Sequence, residues 1–150
     1  MLRMSRLTDY STVIMSYLAR QPQDVHSVTS VAAALGVAVP TTSKILKMLV
    51  RRGLVQSTRG ARGGYCLARA PERISVAEVI EAMEGDFGMT ECSIEAGLCV
   101  REASCPLREN WRRINQLIRG VLNQVTLTDM IRPDFRPHLN GAAPTPAHGS

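Results

Sequence analysis

VTSVAAALGVAVPTTSKILKMLVRRG, residues 28–53, is the segment that best indicates how this 150-residue chain folds. Its first nine residues predict a short helix that Thr29 caps and that Gly36 ends in a left-handed conformation. A second helix opens near Pro40, a residue favoured in the first helical turn, and runs to Gly53. Two short helices joined by a turn that contains glycine are typical of a helix-turn-helix.

A glycine-rich hairpin follows this pair of helices. Residues 54–58 and 65–68 alternate as strands do, and the segment between them places Arg59 and Arg62 at the tip. The chain is therefore predicted to be mainly α with a small β wing, that is, a winged helix-turn-helix. In such a module the second helix of the pair enters the major groove of DNA, and the wing reaches phosphates or the adjacent minor groove.

The charge distribution favours nucleic acid as the partner. The net charge of +5 divides into +8 over residues 1–73 and −3 over residues 74–150. An unevenly charged but merely solvated surface is the alternative, and the wing arginines could simply keep an exposed hairpin soluble. The glycines of the hairpin would let its backbone approach DNA closely. The predicted DNA-binding residues are Thr41, Thr42, Lys44, Lys47, Arg51, Arg59, Arg62, Gly63 and Gly64.

Two further helices complete the predicted reading head, residues 1–85. Apolar residues recur with helical spacing over residues 8–20, where Thr8 is a plausible N-cap and Asp9 lies in the first turn. The sequence SVAE, residues 75–78, is a capping box that opens a helix ending at Gly85. The glutamates of this helix are expected to face solvent: Glu78, Glu81 and Glu84.

An amphipathic helix can run unbroken from Pro106 to about Met130, within a dimerisation segment of residues 106–131. Its apolar stripe is too long for a domain of this size to cover, so we expect a homodimer in which two such helices pack together. The predicted dimerisation residues are Leu107, Trp111, Ile114, Leu117, Ile118, Val121, Leu122 and Val125. Residues 132–150 hold four of the eight prolines and are expected to be disordered.

Three of the four cysteines lie in the intervening segment, residues 86–105, with the spacing C-x6-C-x5-C. Thiolates are the ligands that soft metals and iron–sulfur clusters prefer, so Cys92, Cys99 and Cys105 indicate a site of that kind. Zinc stays open, although structural zinc sites usually show closer cysteine pairs. Cys66, in a wing strand, is expected to be a half-buried small apolar residue.

The composition limits the other possibilities. Apolar residues make up 45% and charged residues 21%, and no apolar run approaches the roughly 20 residues that span a bilayer. The N-terminus lacks the features of a signal peptide, so we expect a cytoplasmic protein without a membrane partner, in which clustered thiols stay reduced. No catalytic triad, phosphate-binding loop or zinc-protease motif is present, and an enzyme is not expected.

Taken together, these motifs resemble the iron–sulfur-cluster-binding winged-helix transcriptional regulators of the IscR/NsrR family. The resemblance covers roughly residues 1–130 and rests on the opening LTDY (7–10), the wing RGARGGY (59–65), the three-cysteine loop and the long helix after it. The layout is most similar to the regulators of the SUF cluster-assembly operon. The resemblance implies a homodimeric repressor that binds an operator in double-stranded DNA and controls iron–sulfur assembly genes.

By the same resemblance, Cys92, Cys99 and Cys105 would ligate a 2Fe–2S or 4Fe–4S cluster. The first gap is one residue longer than is usual in that family, and Arg108 stands where IscR-type members have a histidine ligand. Asp9 matches the carboxylate that the partner subunit supplies in NsrR-like members, or else it only stabilises the first helical turn. A nitric-oxide or redox regulator, and a zinc- or cluster-binding adaptor that does not bind DNA, are the alternatives.

Overall fold

The computed structural model describes residues 4–94 and 96–137, apart from the side chains of Cys92 and Glu102. It is mainly helical with one two-stranded antiparallel sheet, which confirms the predicted fold class. The helices are α1 (Arg6–Arg20), α2 (Val28–Leu35), α3 (Val39–Arg51), α4 (Val76–Glu84), α5 (Glu91–Ile94), α6 (Arg108–Gln124) and α7 (Leu127–Met130); the strands are β1 (Val55–Thr58) and β2 (Gly64–Leu67); and two 3-10 turns cover Pro71–Arg73 and Glu102–Ser104.

The core forms where α1, α3 and α4 meet. Ile14 of α1, Ile45 of α3 and Val79 of α4 are fully buried in one cluster, which Leu127 of α7 also joins. Burying an aliphatic side chain of this size contributes about 1.5–3 kcal/mol. This cluster fixes α3 against the rest of the head and leaves the opposite face of α3 to solvent.

The helix caps agree with the sequence at two positions and differ at two others. Gly36 ends α2 in a left-handed conformation with φ 64°, and Ser75 opens α4 with the predicted capping box. The cap of α1 is Ser5 rather than Thr8, and that of α2 is Ser27 rather than Thr29. Each serine hydroxyl accepts a backbone N–H three residues later, so the predicted caps lie inside the helices.

The wing is held to the head by a third extended segment at His26. Strands β1 and β2 pair antiparallel, and the two backbone hydrogen bonds between His26 and Tyr65 are both 2.8 Å long. A Cβ on Gly64 would lie 2.3 Å from the His26 carbonyl oxygen. Only glycine therefore allows this approach of β2 to His26. The buried His26 ring also contacts Tyr17 of α1, with ring centroids 5.2 Å apart.

The prediction of one unbroken helix to Met130 is wrong. Helix α6 ends at Gln124, and Thr126 opens α7 with a capping box of its own. The chain between them pairs with the segment before α4, because the Val76 N–H donates to Val125 O at 2.8 Å. Leu127 is then fully buried in the core. The end of the predicted dimerisation segment is therefore part of the head.

Among the described residues, no single helix has the length and apolar character needed to cross a membrane. Helices α2 and α3 meet that test only as a pair, by length and composition, with a bend of 117° between them.

Candidate functional site

The solvent-facing side of α3 is basic. Lys44, Lys47 and Arg51 are exposed at helical spacing, and Thr41 is half-buried in the first turn. The first turn of α3 carries no acidic residue, so nothing there offsets the positive end of the helix dipole. Cations on one face of a helix, with an open N-terminal turn, suit contacts to phosphates and to base edges.

Thr42 is not part of this face, so the prediction that it contacts DNA is wrong. Its side chain is fully buried, and the hydroxyl donates to the Ala38 carbonyl oxygen at 3.1 Å. Thr42 follows Thr41 directly, but a step of one residue turns a side chain about 100° around the helix. Its role is to close the first turn of α3 against the core.

The wing presents both of its arginines to solvent. Arg59 and Arg62 are exposed at the tip of the hairpin, whose base is fixed by the pairing of His26 with Tyr65. A Cβ on Gly63 would lie 2.3 Å from the Thr58 carbonyl oxygen. Gly63, like Gly64, is therefore required by contacts inside the protein, whether or not DNA approaches it.

The cysteine loop contains two short helical turns that the sequence did not indicate. Cys92 falls in the single turn of α5, and Cys105 directly follows the 3-10 turn Glu102–Ser104. Cys99 and Cys105 are half-buried free thiols, whereas the Cys92 side chain lies outside the described part of the structure. Among the described side chains, no three of the types His, Cys, Asp and Glu come together as a metal site.

The donors of this loop fit an iron–sulfur cluster by their chemistry. The described cysteines have unbonded sulfurs, and a cluster iron prefers thiolate to any other protein ligand. Cys105 is joined to the start of α6, since the Arg108 N–H donates to the Cys105 carbonyl oxygen at 3.3 Å. Arg108 cannot serve as a ligand because its guanidinium stays protonated.

Asp9 is exposed on α1 and lines an open groove with residues such as Val13, Leu35 and Met130. This groove is formed by α1, α2, α7 and the residues before α1, and no described residue of the cysteine loop lines it. Asp9 also belongs to no group of three metal-ligating side chains among the described residues.

The apolar stripe of α6 is only partly covered by the head. The exposed members are Leu107, Ile114, Leu117 and Val121, and the half-buried members are Trp111, Ile118, Leu122 and Val125. The one buried side chain described in α6 is polar, that of Asn115. Exposed apolar residues in a continuous stripe are typical of an interface with another chain.

The three glutamates of α4 do not simply face solvent, as the sequence led us to expect. Each one ties α4 to a different element. Glu78 accepts from Arg69 at 2.7 Å, Glu81 forms an ion pair with Arg119 of α6, and Glu84 accepts from the first turn of α1. Helix α4 therefore links the base of the wing, α6 and α1.

Glu84 gives this linkage a dependence on pH. Hydrogen bonds from Ser5 and Thr8 lower the pKa of Glu84 below its usual value of 4.5. Because the pKa is lower in the folded state, the stabilisation is present above about pH 4.5 and is lost as the pH falls through the folded pKa. We expect Glu84→Gln to lower the Tm at pH 7 by roughly 1–4 °C and to flatten the acid limb of a plot of Tm against pH. The exposed Glu72 provides the matched control, Glu72→Gln. An acid limb as steep in Glu84→Gln as in the wild type would rule this contribution out.

Comparisons with known proteins agree with this geometry. Residues 4–133 match the profile of the Rrf2 family, described as iron-dependent transcriptional regulators. The chain is 31% identical over 132 residues to the HTH-type transcriptional regulator NsrR of Halalkalibacterium halodurans, an alignment that covers 87% of this chain and 90% of that protein.

Two solved structures share the fold. CymR, the global cysteine regulator of B. subtilis, superposes with a TM-score of 0.72 at 32% identity, covering 87% of this chain and 97% of CymR. IscR of T. potens superposes with a TM-score of 0.67 at 30% identity, covering 87% and 86% of the two chains. The winged-helix architecture is confirmed by these likenesses. The named relatives are transcriptional regulators, which supports the expectation that the chain is not an enzyme.

Proposed function

This chain belongs to the Rrf2 family of transcriptional regulators, and from that membership we propose that it is a homodimeric repressor whose cysteine loop holds an iron–sulfur cluster. The observation that carries the DNA-binding part is the row of exposed cations on α3, Lys44, Lys47 and Arg51. The likeness to NsrR and IscR, together with the three-cysteine spacing, supports the cluster. Genes for iron–sulfur cluster assembly are the proposed targets, by resemblance to the SUF-operon regulators.

DNA recognition divides between α3 and the wing. Lys44, in the N-terminal half of α3, is proposed to reach base edges, whereas Lys47, Arg51 and the wing arginines contact phosphates. Two heads related by a two-fold axis would read half-sites about one helical turn apart, roughly 34–36 Å. The exposed apolar stripe of α6 supports such a pairing of two copies.

Cys92, Cys99 and Cys105 are the proposed cluster ligands, and Asp9 of a second subunit is the proposed fourth. When bound, the cluster would provide a group whose oxidation state depends on oxidants and whose occupancy depends on the available iron and sulfide. The residues of the chain provide the connection to DNA binding. Cys105 leads directly into α6, and α6 is tied to α4 of the head through Arg119 and Glu81.

Alanine at Arg59 or Arg62 tests the proposed interface. Each substitution is expected to weaken operator binding roughly threefold to tenfold at moderate salt, because a phosphate loses its cation. The slope of log K against log salt concentration should become shallower by about 0.9 for each phosphate that is no longer neutralised. Titration of duplex DNA at several salt concentrations measures both quantities.

Arg112→Ala is the matched control, because Arg112 is an exposed arginine on α6. It removes the same charge away from the proposed interface and should leave the salt slope unchanged. If neither wing substitution alters the affinity or the slope, the wing does not contact DNA.

A further inference from the structure

Asn115 is an unusual residue for its position in α6. It is only 5% exposed, and it is the one residue of this helix that is buried among those described. A buried amide is costly unless its polar atoms are hydrogen-bonded. The partners of Asn115 therefore indicate what the residue does.

Both partners of Asn115 are backbone groups that flank Cys92. The Met89 N–H donates to Asn115 Oδ1 at 3.3 Å, and Asn115 Nδ2 donates to the Ser93 carbonyl oxygen at 3.5 Å. The segment between them is a closed turn, in which the Ser93 N–H donates to Thr90 O at 2.9 Å. One side chain of α6 thus holds the chain on both sides of the first loop cysteine.

One helical turn further on, Arg119 extends the same contact. Its guanidinium lies 5.5 Å from the centre of the Phe87 ring and forms an ion pair with Glu81 of α4. Residues four apart share a face of a helix, so Asn115 and Arg119 together fix the segment 87–93 on α6. The entrance of the cysteine loop is therefore held by side chains of α6.

We propose that Asn115 is a positioning residue for Cys92, holding the backbone of this proposed ligand on α6. The inference rests on the proposed function, because it gives the held turn a purpose in cluster binding. Residues that fix the position of a metal ligand raise the affinity of the site for the metal, because the ligand does not have to be ordered when the metal binds. The same contact makes the position of Cys92 depend on that of α6.

The first experiment uses reduced, metal-free protein and needs no cluster. Asn115→Leu keeps the number and branching of the non-hydrogen side-chain atoms but removes both hydrogen bonds. We expect it to raise the alkylation rate of Cys92 by iodoacetamide, and the hydrogen exchange of amides 89–93, by about tenfold. The alkylation rate of Cys66 should stay at its wild-type value, as read by mass spectrometry of the same samples.

Asn123→Leu is the matched control. Asn123 also lies on α6, and its Oδ1 accepts from the Ser75 hydroxyl at 3.4 Å, so the substitution breaks a contact between α6 and the head without touching residues 89–93. It should leave the Cys92 rate unchanged. Should Asn115→Leu not fold, Asn115→Asp keeps an acceptor for Met89 and replaces the donor to Ser93 by a carboxylate oxygen, and a rise of severalfold is expected.

In the second experiment the cluster is assembled with iron and sulfide under anaerobic conditions, and the rate of its loss in air is then measured. Asn115→Leu is expected to lose its cluster in air about tenfold faster than the wild type does. Equal Cys92 alkylation rates in the wild type and Asn115→Leu would overturn the inference. If instead the wild type binds no iron and sulfide, the proposed function fails, and the alkylation rates still decide whether Asn115 holds Cys92.

Discussion

Replacing Leu117 by glutamate is expected to give a monomer that binds operator DNA about 100- to 10,000-fold more weakly than the wild type. Leu117 is 64% exposed on α6 and shares its face with Ile114 and Val121. In a homodimer this stripe would be covered by the second copy, and a carboxylate there would be buried without a cation, at a cost of several kcal/mol. Two separate heads would then lose the high effective concentration at the second half-site that a dimer provides.

Sedimentation velocity at micromolar concentration and operator titration should change together in this variant. Gln116→Glu is the matched control, because it adds the same charge one residue away, on the polar side of α6. It should remain dimeric and keep the wild-type affinity. A wild-type protein that sediments as a monomer at this concentration would contradict the proposed dimer directly.

The sequence was sufficient to predict those features of the head that depend on local signals. Gly36 ends α2 because a glycine reaches the left-handed conformation at little cost, and the Ser75 capping box opens α4 within four residues. The glycine-rich hairpin between two alternating segments likewise predicted the wing. Each of these features depends on neighbours in the chain, so no knowledge of the folded protein was needed.

Two errors arose where two local signals competed. Both Ser5 and Thr8 could have capped α1, and Ser5 does so, while the Thr8 hydroxyl is engaged by Glu84 from 76 residues away. The end of α6 had a signal, since Thr126 and Asp129 form a capping box, but the apolar stripe continues through it and suggested an unbroken helix.

Contacts between distant polar residues could not be predicted at all. Glu81 and Arg119 are 38 positions apart, and Asn115 lies 26 positions from Met89. In the sequence, Glu81 and Asn115 look like ordinary solvated residues of amphipathic helices. Only the packing of α4 and α5 against α6 gives them their partners. The proposed roles of Asn115 and of the ion pair between Glu81 and Arg119 could therefore be inferred only from the folded chain.

Alanine at any one of Cys92, Cys99 and Cys105 is expected to abolish cluster binding, whereas Cys66→Ala should keep it. Each loop cysteine is proposed to supply one of three thiolates, and the loss of one leaves a site with too few soft ligands for a stable cluster. Cys66 is the matched control, because it is also a half-buried free thiol but lies on β2, paired with Gln56. Anaerobic purification, followed by an absorption spectrum and by iron and sulfide analysis, measures the outcome.

Asp9→Ala separates the two interpretations of the remaining ligand. If Asp9 of the second subunit binds the cluster, this variant should take up iron and sulfide but show an altered spectrum and a shorter lifetime in air, by roughly tenfold or more. Because Asp9 is exposed and its groove contains no described residue of the cysteine loop, the change should not disturb the fold of one protomer.

The comparison of these variants also tests the link between the cluster and DNA. Without a cluster the three thiolates would no longer be joined through one group, whereas the hydrogen bonds of Asn115 to the turn at Cys92 lie within one protomer. The cysteine variants and metal-free wild type should therefore bind operator alike, with Cys66→Ala matching the loaded protein. An operator affinity that is the same in loaded wild type and in Cys105→Ala would show that the cysteine loop does not control DNA binding.

An unchanged spectrum and lifetime in Asp9→Ala would assign the fourth ligand to another group.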